Sequence, residues 1–159
     1  MTSARVRAEC LEQANRAILR SAPIGPPAAV LLAIILGDAV SLHARVALVA
    51  AVTVANIWGI AATLLYRRLS RTRVITRWWP TTAYGLLIGL SWPSLALVGF
   101  PDASHVDMRA IIALFVCGVS ATQIVSAAAH RLYFFAVQVP LLGIMTLVYL
   151  ACFVRGRLA

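Results

Sequence analysis

Residues 46–66, VALVAAVTVANIWGIAATLLY, form a block of 21 residues without a charged side chain. Arg45 comes directly before this block, and Arg67 and Arg68 come directly after it. At about 1.5 Å per residue, a helix of this length covers about 32 Å, which matches the hydrocarbon thickness of a bilayer. The block therefore predicts a transmembrane helix, and this prediction decides the fold class of the chain.

The rest of the chain repeats this pattern. Of its 159 residues, 62% are hydrophobic and 12% are charged, whereas soluble domains are about half apolar and about a quarter charged. Short segments that carry charge or proline separate further apolar blocks. We predict an all-α, polytopic transmembrane helix bundle over 23–154 with about five spans, at 24–41, 46–66, 78–100, 110–129 and 132–154, and a short tail at 155–159. The links are short, so neighbouring helices are expected to be antiparallel.

Residues 1–22 are predicted to form a cytoplasmic, amphipathic lead helix. Its apolar residues recur at helical spacing: Val6, Cys10, Ala14, Ala17 and Ile18. Arginine and glutamate occupy the other side, which is the pattern of an amphipathic helix. Two interpretations stay open, namely a helix lying on the inner membrane surface and a cap that leads into the first span.

Arginine is concentrated between the second and third predicted spans. The segment 67–77, RRLSRTRVITR, contains Arg67, Arg68, Arg71, Arg73 and Arg77, and Trp78 and Trp79 follow it. Positive charge accumulates in short cytoplasmic loops, and tryptophan accumulates at membrane interfaces. We therefore interpret the segment as a topology anchor, in which each arginine gains about 1 kcal/mol from anionic lipid head groups. A site for a phosphorylated ligand or an acidic partner is the rival interpretation.

The distribution of arginine also predicts the orientation of the bundle. With the N-terminus inside, ten arginines lie on the inner side: Arg5, Arg7, Arg16, Arg20, Arg67, Arg68, Arg71, Arg73, Arg77 and Arg131. Four lie on the outer side: Arg45, Arg109, Arg155 and Arg157. This excess predicts a multi-pass protein of a bacterial inner membrane with a cytoplasmic N-terminus.

Four polar residues within the predicted spans are candidates for an intramembrane site: Asp38, Asn56, Gln123 and Gln138. Polar side chains are costly in lipid and usually face the interior of a bundle. Asp38 is expected to sit at the end of the first span, within reach of Arg45 or His43. Gln123 and Gln138 are expected to hydrogen-bond across the hairpin of the last two spans, which is helix packing rather than a transport path.

Small residues predict where helices approach each other closely. Gly85 and Gly89 form a GxxxG motif in the third span, and Gly118 opens a stretch of small residues in the fourth. Both features are typical of packing faces, within one chain or between two.

Other function classes find no support in the pattern. The net charge is +9, but the arginines lie between apolar blocks, so no nucleic-acid partner is expected. Cys10, Cys117 and Cys152 lie far apart and lack metal-ligand spacing. No paired interior carboxylates, nucleophile motif or glycine-rich phosphate loop occurs, so neither catalysis nor a cofactor or metal is expected.

The order of features from the third span onward resembles a known family. Gly85, Gly89 and Trp92 are followed by Phe100-Pro101, then by a small-residue span and by a proline in the last span, Pro140. This layout, over roughly 10–154, resembles the N-terminal membrane sensor region that precedes diguanylate cyclase (GGDEF) domains and some histidine kinases in bacteria. The resemblance implies a non-catalytic sensory or regulatory module in the bilayer, acting on a cytoplasmic or membrane signalling partner or as a homodimer.

The sequence departs from that family in two respects, since neither a sixth span nor a GGDEF or kinase domain follows. The expected function is therefore signal input by a membrane module without its output domain, whether the chain is whole or truncated. The alternatives are a small transporter or channel and an accessory subunit of a membrane complex. A transporter would bring polar side chains of several spans together at mid-depth.

Overall fold

The computed structural model describes residues 3–69, 78–99, 106–127 and 130–158, and almost all of them are helical. The seven α-helices in these ranges are α1 (Ser3–Ser21), α2 (Gly25–Leu36), α3 (Leu42–Leu69), α4 (Trp79–Ser91), α5 (Ser94–Gly99), α6 (Val106–Ala127) and α7 (Arg131–Leu158). The described ranges contain no strand, which confirms the prediction of an all-α bundle.

The first hairpin pairs α1 and α2 with α3. A 3₁₀ turn, Ala22–Ile24, joins α1 to α2, and the prolines at 23, 26 and 27 fall where a proline is tolerated, at helix starts. At the other end of α2, Gly37 adopts a φ of +45°, which favours glycine and turns the chain towards α3. The hydroxyl of Ser41 then accepts a hydrogen bond from the Ala44 N–H at 3.3 Å, which caps α3.

Four stretches of the described chain are long and apolar enough to cross a membrane: Glu9–Ala39, Leu42–Arg68, Val106–Ile124 and Arg131–Arg155. They cover the predicted first, second, fourth and fifth spans, apart from a few residues at their ends. The first stretch begins fifteen residues before the predicted span at 24–41, because α1 continues into α2 across the 3₁₀ turn.

The predicted third span, 78–100, is divided between α4 and α5. The helix is interrupted at Trp92 and Pro93, because a proline inside a helix removes a backbone donor and clashes with the preceding turn. Two serine hydroxyls donate hydrogen bonds to backbone carbonyls at this interruption. Ser91 donates to the Ile88 carbonyl at 3.0 Å, and Ser94 donates to the Ser91 carbonyl. The predicted third span thus corresponds to two short helices that are not among the four long apolar stretches, and its last residue lies outside the described residues.

The place of the lead helix favours the second of its two interpretations, a cap that leads into the first span. α1 packs along α3 within the bundle, its buried residues are Ala14, Asn15 and Ile18, and Ala22 of the following 3₁₀ turn is buried as well. Val6, predicted on the apolar face, is 44% exposed. Of the predicted apolar stripe, Ala14 and Ile18 are therefore buried. This part of α1 packs against other helices of the bundle.

Helix α4 lies at the centre, between α3 and α7. An added Cβ at Gly85 would lie 2.7 Å from Cδ2 of Tyr133, and one at Gly89 would lie 2.6 Å from the backbone oxygen of Val137. The GxxxG pair predicted as a packing face therefore lies directly against α7. Pro140 also lies against Gly89, and because Pro140 has no N–H, the Ala136 carbonyl lacks its usual helical donor there.

The exterior of the bundle is apolar. Large hydrophobic side chains are exposed on every long helix, among them Ile34, Ile57, Leu114, Phe135 and Leu147. A water-soluble protein rarely exposes contiguous apolar surface of this extent. Together with the four long apolar helices, this exterior supports a multi-pass membrane protein in contact with the bilayer.

Candidate functional site

A cavity of about 500 Å³ lies between the α1–α2 junction, α3, α4 and α6. Most of its walls are apolar, with Ile24, Ala28, Ile88, Trp92, Leu114, Phe115 and Val119. Its polar side chains are Ser21, Asn56, Thr122 and Gln123, and Gly25 and Gly118 complete the lining. An apolar cavity of this volume with a few polar groups is typical of a site for a small ligand.

Gln123 supplies a free hydrogen-bond donor to this cavity. Its side chain is only 7% exposed, and its Oε1 accepts a hydrogen bond from the hydroxyl of Tyr133 at 2.9 Å. Its Nε2 has no hydrogen-bond partner in the part of the chain that the structure describes, and the side chain lines the cavity. Because this N–H faces a mostly apolar cavity, an acceptor atom placed there would be stabilised by it.

Asn56 forms the opposite polar wall, near the middle of α3. Its Nδ2 donates to the Val52 carbonyl at 2.7 Å, and its Oδ1 accepts from the hydroxyl of Tyr84 at 3.3 Å. Gly25 lies against this amide, since an added Cβ at Gly25 would be 2.4 Å from Nδ2 of Asn56. Glycine at this position lets the α1–α2 junction approach the amide closely.

Two tyrosines connect the amide of Asn56 with that of Gln123. Tyr84 of α4 and Tyr133 of α7 are 1% and 0% exposed, and their rings stack with centroids 6.0 Å apart. The series Asn56, Tyr84, Tyr133 and Gln123 therefore runs through α3, α4, α7 and α6. It joins two walls of the cavity through the core of the bundle, and we call it the tyrosine relay.

A second polar cluster fastens α1 to the bundle. Oδ1 of Asn15 accepts hydrogen bonds from the hydroxyls of Thr63 at 3.2 Å and Thr81 at 3.3 Å, so that α1, α3 and α4 meet at one side chain. Nδ2 of Asn15 donates to the Leu11 carbonyl at 2.9 Å. These groups largely satisfy one another, which indicates a structural role rather than a binding role.

A third cluster joins α6 to α7. The hydroxyl of Ser120 donates to Oε1 of Gln138 at 2.7 Å, and Nε2 of Gln138 donates to the Ser120 carbonyl at 3.1 Å. Gln123 and Gln138 were predicted to bond across this hairpin. Each of them does so, although the partners are Tyr133 and Ser120 rather than the other glutamine.

The remaining predicted polar residue, Asp38, lies apart from the cavity. It is exposed in the turn after α2. Within the described ranges, no ion pair joins it to Arg45 or to His43, the two partners proposed from the sequence. Asp38 is therefore a residue of the turn and not part of an intramembrane site.

Gly118 differs from the packing role predicted for it. An added Cβ there would meet no atom within 4 Å, because the residue faces the cavity instead of a helix. Thus, of the three glycines predicted for packing, two lie against α7 and the third leaves space beside Gln123.

The predicted topology anchor is only partly described. Arg67 and Arg68 lie exposed at the end of α3, and Trp78 and Trp79 are 47% and 51% exposed at the start of α4. The ring of Trp79 reaches towards the middle of α3, where its centroid lies 6.3 Å from that of Trp58. The exposed rings of Trp78 and Trp79 lie at the start of α4, as expected at a membrane interface. Arg71, Arg73 and Arg77 lie outside the described residues.

Sequence reasoning missed Asn15, Tyr84 and Tyr133. Asn15 lies between Ala14 and Ile18 on the buried stripe of α1, and an amide on such a stripe is a recognisable signal. The tyrosines carried no comparable signal, since tyrosine is common in membrane spans and at their ends.

The cavity is suited to binding a neutral molecule. Its lining contains no charged side chain. Among the residues that the structure describes, no three His, Cys, Asp or Glu side chains lie close enough together to hold a metal ion. The available interactions are apolar contact and hydrogen bonds from amide and hydroxyl groups.

No protein-family model matches the chain, and neither the curated proteins nor the solved structures contain a significant match to it.

Proposed function

We propose that this protein is a membrane sensor module that binds a small, neutral, mostly apolar molecule with an acceptor oxygen. The observation that supports this most strongly is the unpartnered amide nitrogen of Gln123 in an otherwise apolar cavity. A ligand oxygen at this nitrogen would satisfy a buried donor, and its apolar part would fill the space beside Gly118. The resemblance to the input region of diguanylate cyclases agrees with this proposal.

The proposed signal is a movement of α6 relative to the rest of the bundle. The cavity separates α6 from the α1–α2 junction and from α3, whereas α6 packs closely on α7. A ligand that draws α6 inward would carry α7 with it, because Ser120–Gln138 and Gln123–Tyr133 hold the two helices together. Shifts of packed helices by about 1–2 Å are a common form of switching, and such a ligand must bind one arrangement better than the other.

The proposed location is the inner membrane of a bacterium, with the N-terminus in the cytoplasm. The excess of arginine on one side supports this orientation, and so do the exposed rings of Trp78 and Trp79 at the start of α4. The signal would pass to a cytoplasmic or membrane partner, or between two copies of the chain.

Benzophenone is a suitable probe, because it is neutral, apolar and carries a carbonyl oxygen, and it reacts with nearby C–H bonds when irradiated. We expect wild-type protein in detergent to be labelled at cavity residues such as Ile88, Trp92 and Phe115, as located by mass spectrometry. Gln123→Leu should lower this labelling by about fivefold to tenfold, since one buried hydrogen bond contributes about 1 kcal/mol.

Two further variants make the experiment specific. Gln138→Leu removes an equivalent buried amide from the same hairpin but not from the cavity lining, so labelling should persist. Gly118→Phe fills the cavity and should abolish labelling there. Labelling that is equally strong at the lipid-facing Phe135 and Leu147, or that is unchanged by Gln123→Leu, would refute the proposed site.

A transporter or channel is the second candidate, and one observation favours it. The tyrosine relay brings polar side chains of four helices together inside the bundle. However, its groups mostly bond to one another, and none of the four carries a charge. We expect no potassium or proton flux above the background of empty liposomes when the protein is reconstituted. Flux that is lost in Gln123→Leu would favour the channel over the sensor.

A further inference from the structure

A second cavity lies on the outside of the bundle, along the seam between α2 and α3. Its volume is about 470 Å³. Its apolar walls include Val30, Ala33 and Ile34 from α2 and Val46, Val49 and Ala50 from α3. On each helix these residues occupy positions i, i+3 and i+4, which lie on one face of a helix. The cavity is therefore a groove between the two faces. We call it the α2–α3 groove.

Arg45 lies at the end of this groove nearest the turn between α2 and α3. Its Nε is fully buried and has no hydrogen-bond partner. No acidic side chain of the described chain forms an ion pair with it, and Asp38 in the neighbouring turn is exposed. A guanidinium keeps its charge and has five N–H donors, so a buried and unpaired Nε leaves a strong donor unsatisfied.

The position of Arg45 is that of a residue at a membrane interface. It is the fourth residue of α3, and its backbone N–H donates to the Ser41 carbonyl at 3.1 Å. Side chains on a helix lean towards its N-terminus, here towards the turn and the membrane surface. From Arg45 the groove extends as far as Val54, nine residues or about 14 Å along α3, towards the middle of the bundle.

We infer that the α2–α3 groove binds one anionic phospholipid, with its phosphate on Arg45 and an acyl chain along the seam of α2 and α3. The groove matches the two parts of such a molecule. Arg45 would lie at the depth of the phosphate, and the apolar side chains would lie along the acyl chain. Arginine binds phosphate through charge-assisted N–H···O bonds, and the guanidinium of Arg45, which has no acidic partner in the described chain, offers donors for a head-group phosphate at the end of the groove. The site is separate from the cavity beside Gln123 and does not depend on the function proposed for it.

Native mass spectrometry of the whole chain in mild detergent tests this inference. Phosphatidylglycerol is added in one series and phosphatidylcholine in another, and the fraction of protein that retains one lipid is measured. We expect the wild type to retain phosphatidylglycerol in preference to phosphatidylcholine. Arg45→Gln should lower the retention of phosphatidylglycerol by about fivefold, in line with the loss of one arginine at an anionic membrane surface.

Two variants complete the test. Arg68→Gln removes the same charge from the exposed, opposite end of α3 and should lower retention less than Arg45→Gln does. Ala50→Phe keeps Arg45 but fills the groove from an exposed position, so it should lower retention without disturbing the core.

Three results would overturn the inference. Equal losses in Arg45→Gln and Arg68→Gln would mean diffuse attraction between charges. Equal retention of the two lipids by the wild type would remove the role of the anionic head group. A dimer that disappears in Ala50→Phe would mean that a second copy of the chain occupies the groove instead.

Discussion

The rings of Tyr84 and Tyr133 stack across the α4–α7 interface, with their planes inclined by 19°. The two hydroxyls bond in different directions, one to Asn56 and the other to Gln123. Gly85, next to Tyr84 in the chain, leaves the space that the ring of Tyr133 occupies. The stack therefore requires a residue without a side chain at position 85. It connects the amides of Asn56 and Gln123, which line the cavity.

The bond between Tyr133 and Gln123 is expected to stabilise the bundle by about 1 kcal/mol, the usual magnitude for a hydrogen bond between membrane helices. Tyr133→Phe leaves Oε1 of Gln123 without its donor, and Gln123→Leu leaves the Tyr133 hydroxyl without its acceptor. Each change should lower the free energy of unfolding, measured by thermal denaturation in detergent. The double variant should lose less than the sum of the two single losses. Strictly additive losses would show that this bond contributes nothing.

Gly89→Ala should destabilise the protein strongly, by about 1–3 kcal/mol. The added Cβ would meet the backbone oxygens of Val137 and Ala136 at 2.6 and 3.0 Å, and backbone cannot move aside as a side chain can. Gly118→Ala is the matched control, since its Cβ would meet nothing within 4 Å. Melting temperatures in detergent compare the two. A loss in Gly118→Ala as large as that in Gly89→Ala would contradict the close approach of α4 and α7.

Asn15→Leu tests whether α1 belongs to the bundle. The change removes the acceptor shared by the hydroxyls of Thr63 and Thr81 and leaves two buried donors to find other partners. We expect a loss of about 1–2 kcal/mol in the free energy of unfolding. Gln13→Leu alters an exposed amide two residues away and should have little effect. If α1 were only a surface helix, the two variants would behave alike.

His130 should make the first turn of α7 sensitive to pH. Burial lowers the pKa of His130 below its ordinary value of 6.5, and a backbone hydrogen bond partly offsets this. Its Nδ1 accepts a hydrogen bond from the Tyr133 N–H at 3.2 Å, which requires that nitrogen to be unprotonated. Because the folded-state pKa lies below the unfolded one, this stabilisation is present above about pH 6.5 and is lost as the pH falls through the folded-state value.

Amide hydrogen exchange of residues 131–134 between pH 8 and pH 5 measures this effect, after correction for the intrinsic exchange rate. Protection should fall at the acid end in the wild type. His130→Asn provides a capping acceptor that does not titrate in this range, so its corrected protection should not vary with pH. The same acid-dependent loss in His130→Asn would assign the effect to another group.

A fusion at Ala159 tests the proposed orientation. If α4 and α5 together count as one crossing, the chain crosses the membrane five times and its ends lie on opposite sides. With the N-terminus in the cytoplasm, alkaline phosphatase fused after Ala159 should be active and a fluorescent protein at the same position should be dark. The reverse result would mean an even number of crossings and would place α4–α5 or the first stretch only partly in the bilayer.

The sequence predicted the helices of this bundle better than it predicted their partners. Length and apolar composition are local properties, and they located four of the five spans to within a few residues at most ends. The two interpretations of the lead helix could not be separated from the sequence, because its glutamates and arginines resemble those of a surface helix. Its buried face becomes evident only when Thr63 and Thr81 are seen to meet Asn15, and that contact joins residues 48 and 66 positions apart.

The same limit applies to the candidate site. Asn56 and Gln123 could be identified as costly polar residues within spans, but the tyrosines that connect them could not. Gly118 looked like Gly85 and Gly89 in the sequence, since small residues look alike whether a helix or a cavity lies beside them. Arg45 was interpreted as a charge on the minority side and a possible partner of Asp38, because nothing in the sequence indicates that its Nε is buried beside the α2–α3 groove.

The turn between α2 and α3 has a consequence for how the protein is made. Only residues 37–41 separate the two helices, which pack along their lengths. A link of this length cannot cross the bilayer. The direction in which α2 crosses the membrane therefore also determines the direction in which α3 crosses it. During synthesis the orientation of α2 and α3 is set as a single event, and Arg67 and Arg68, which lie in the last turn of α3 and leave the ribosome late, are well placed to fix it.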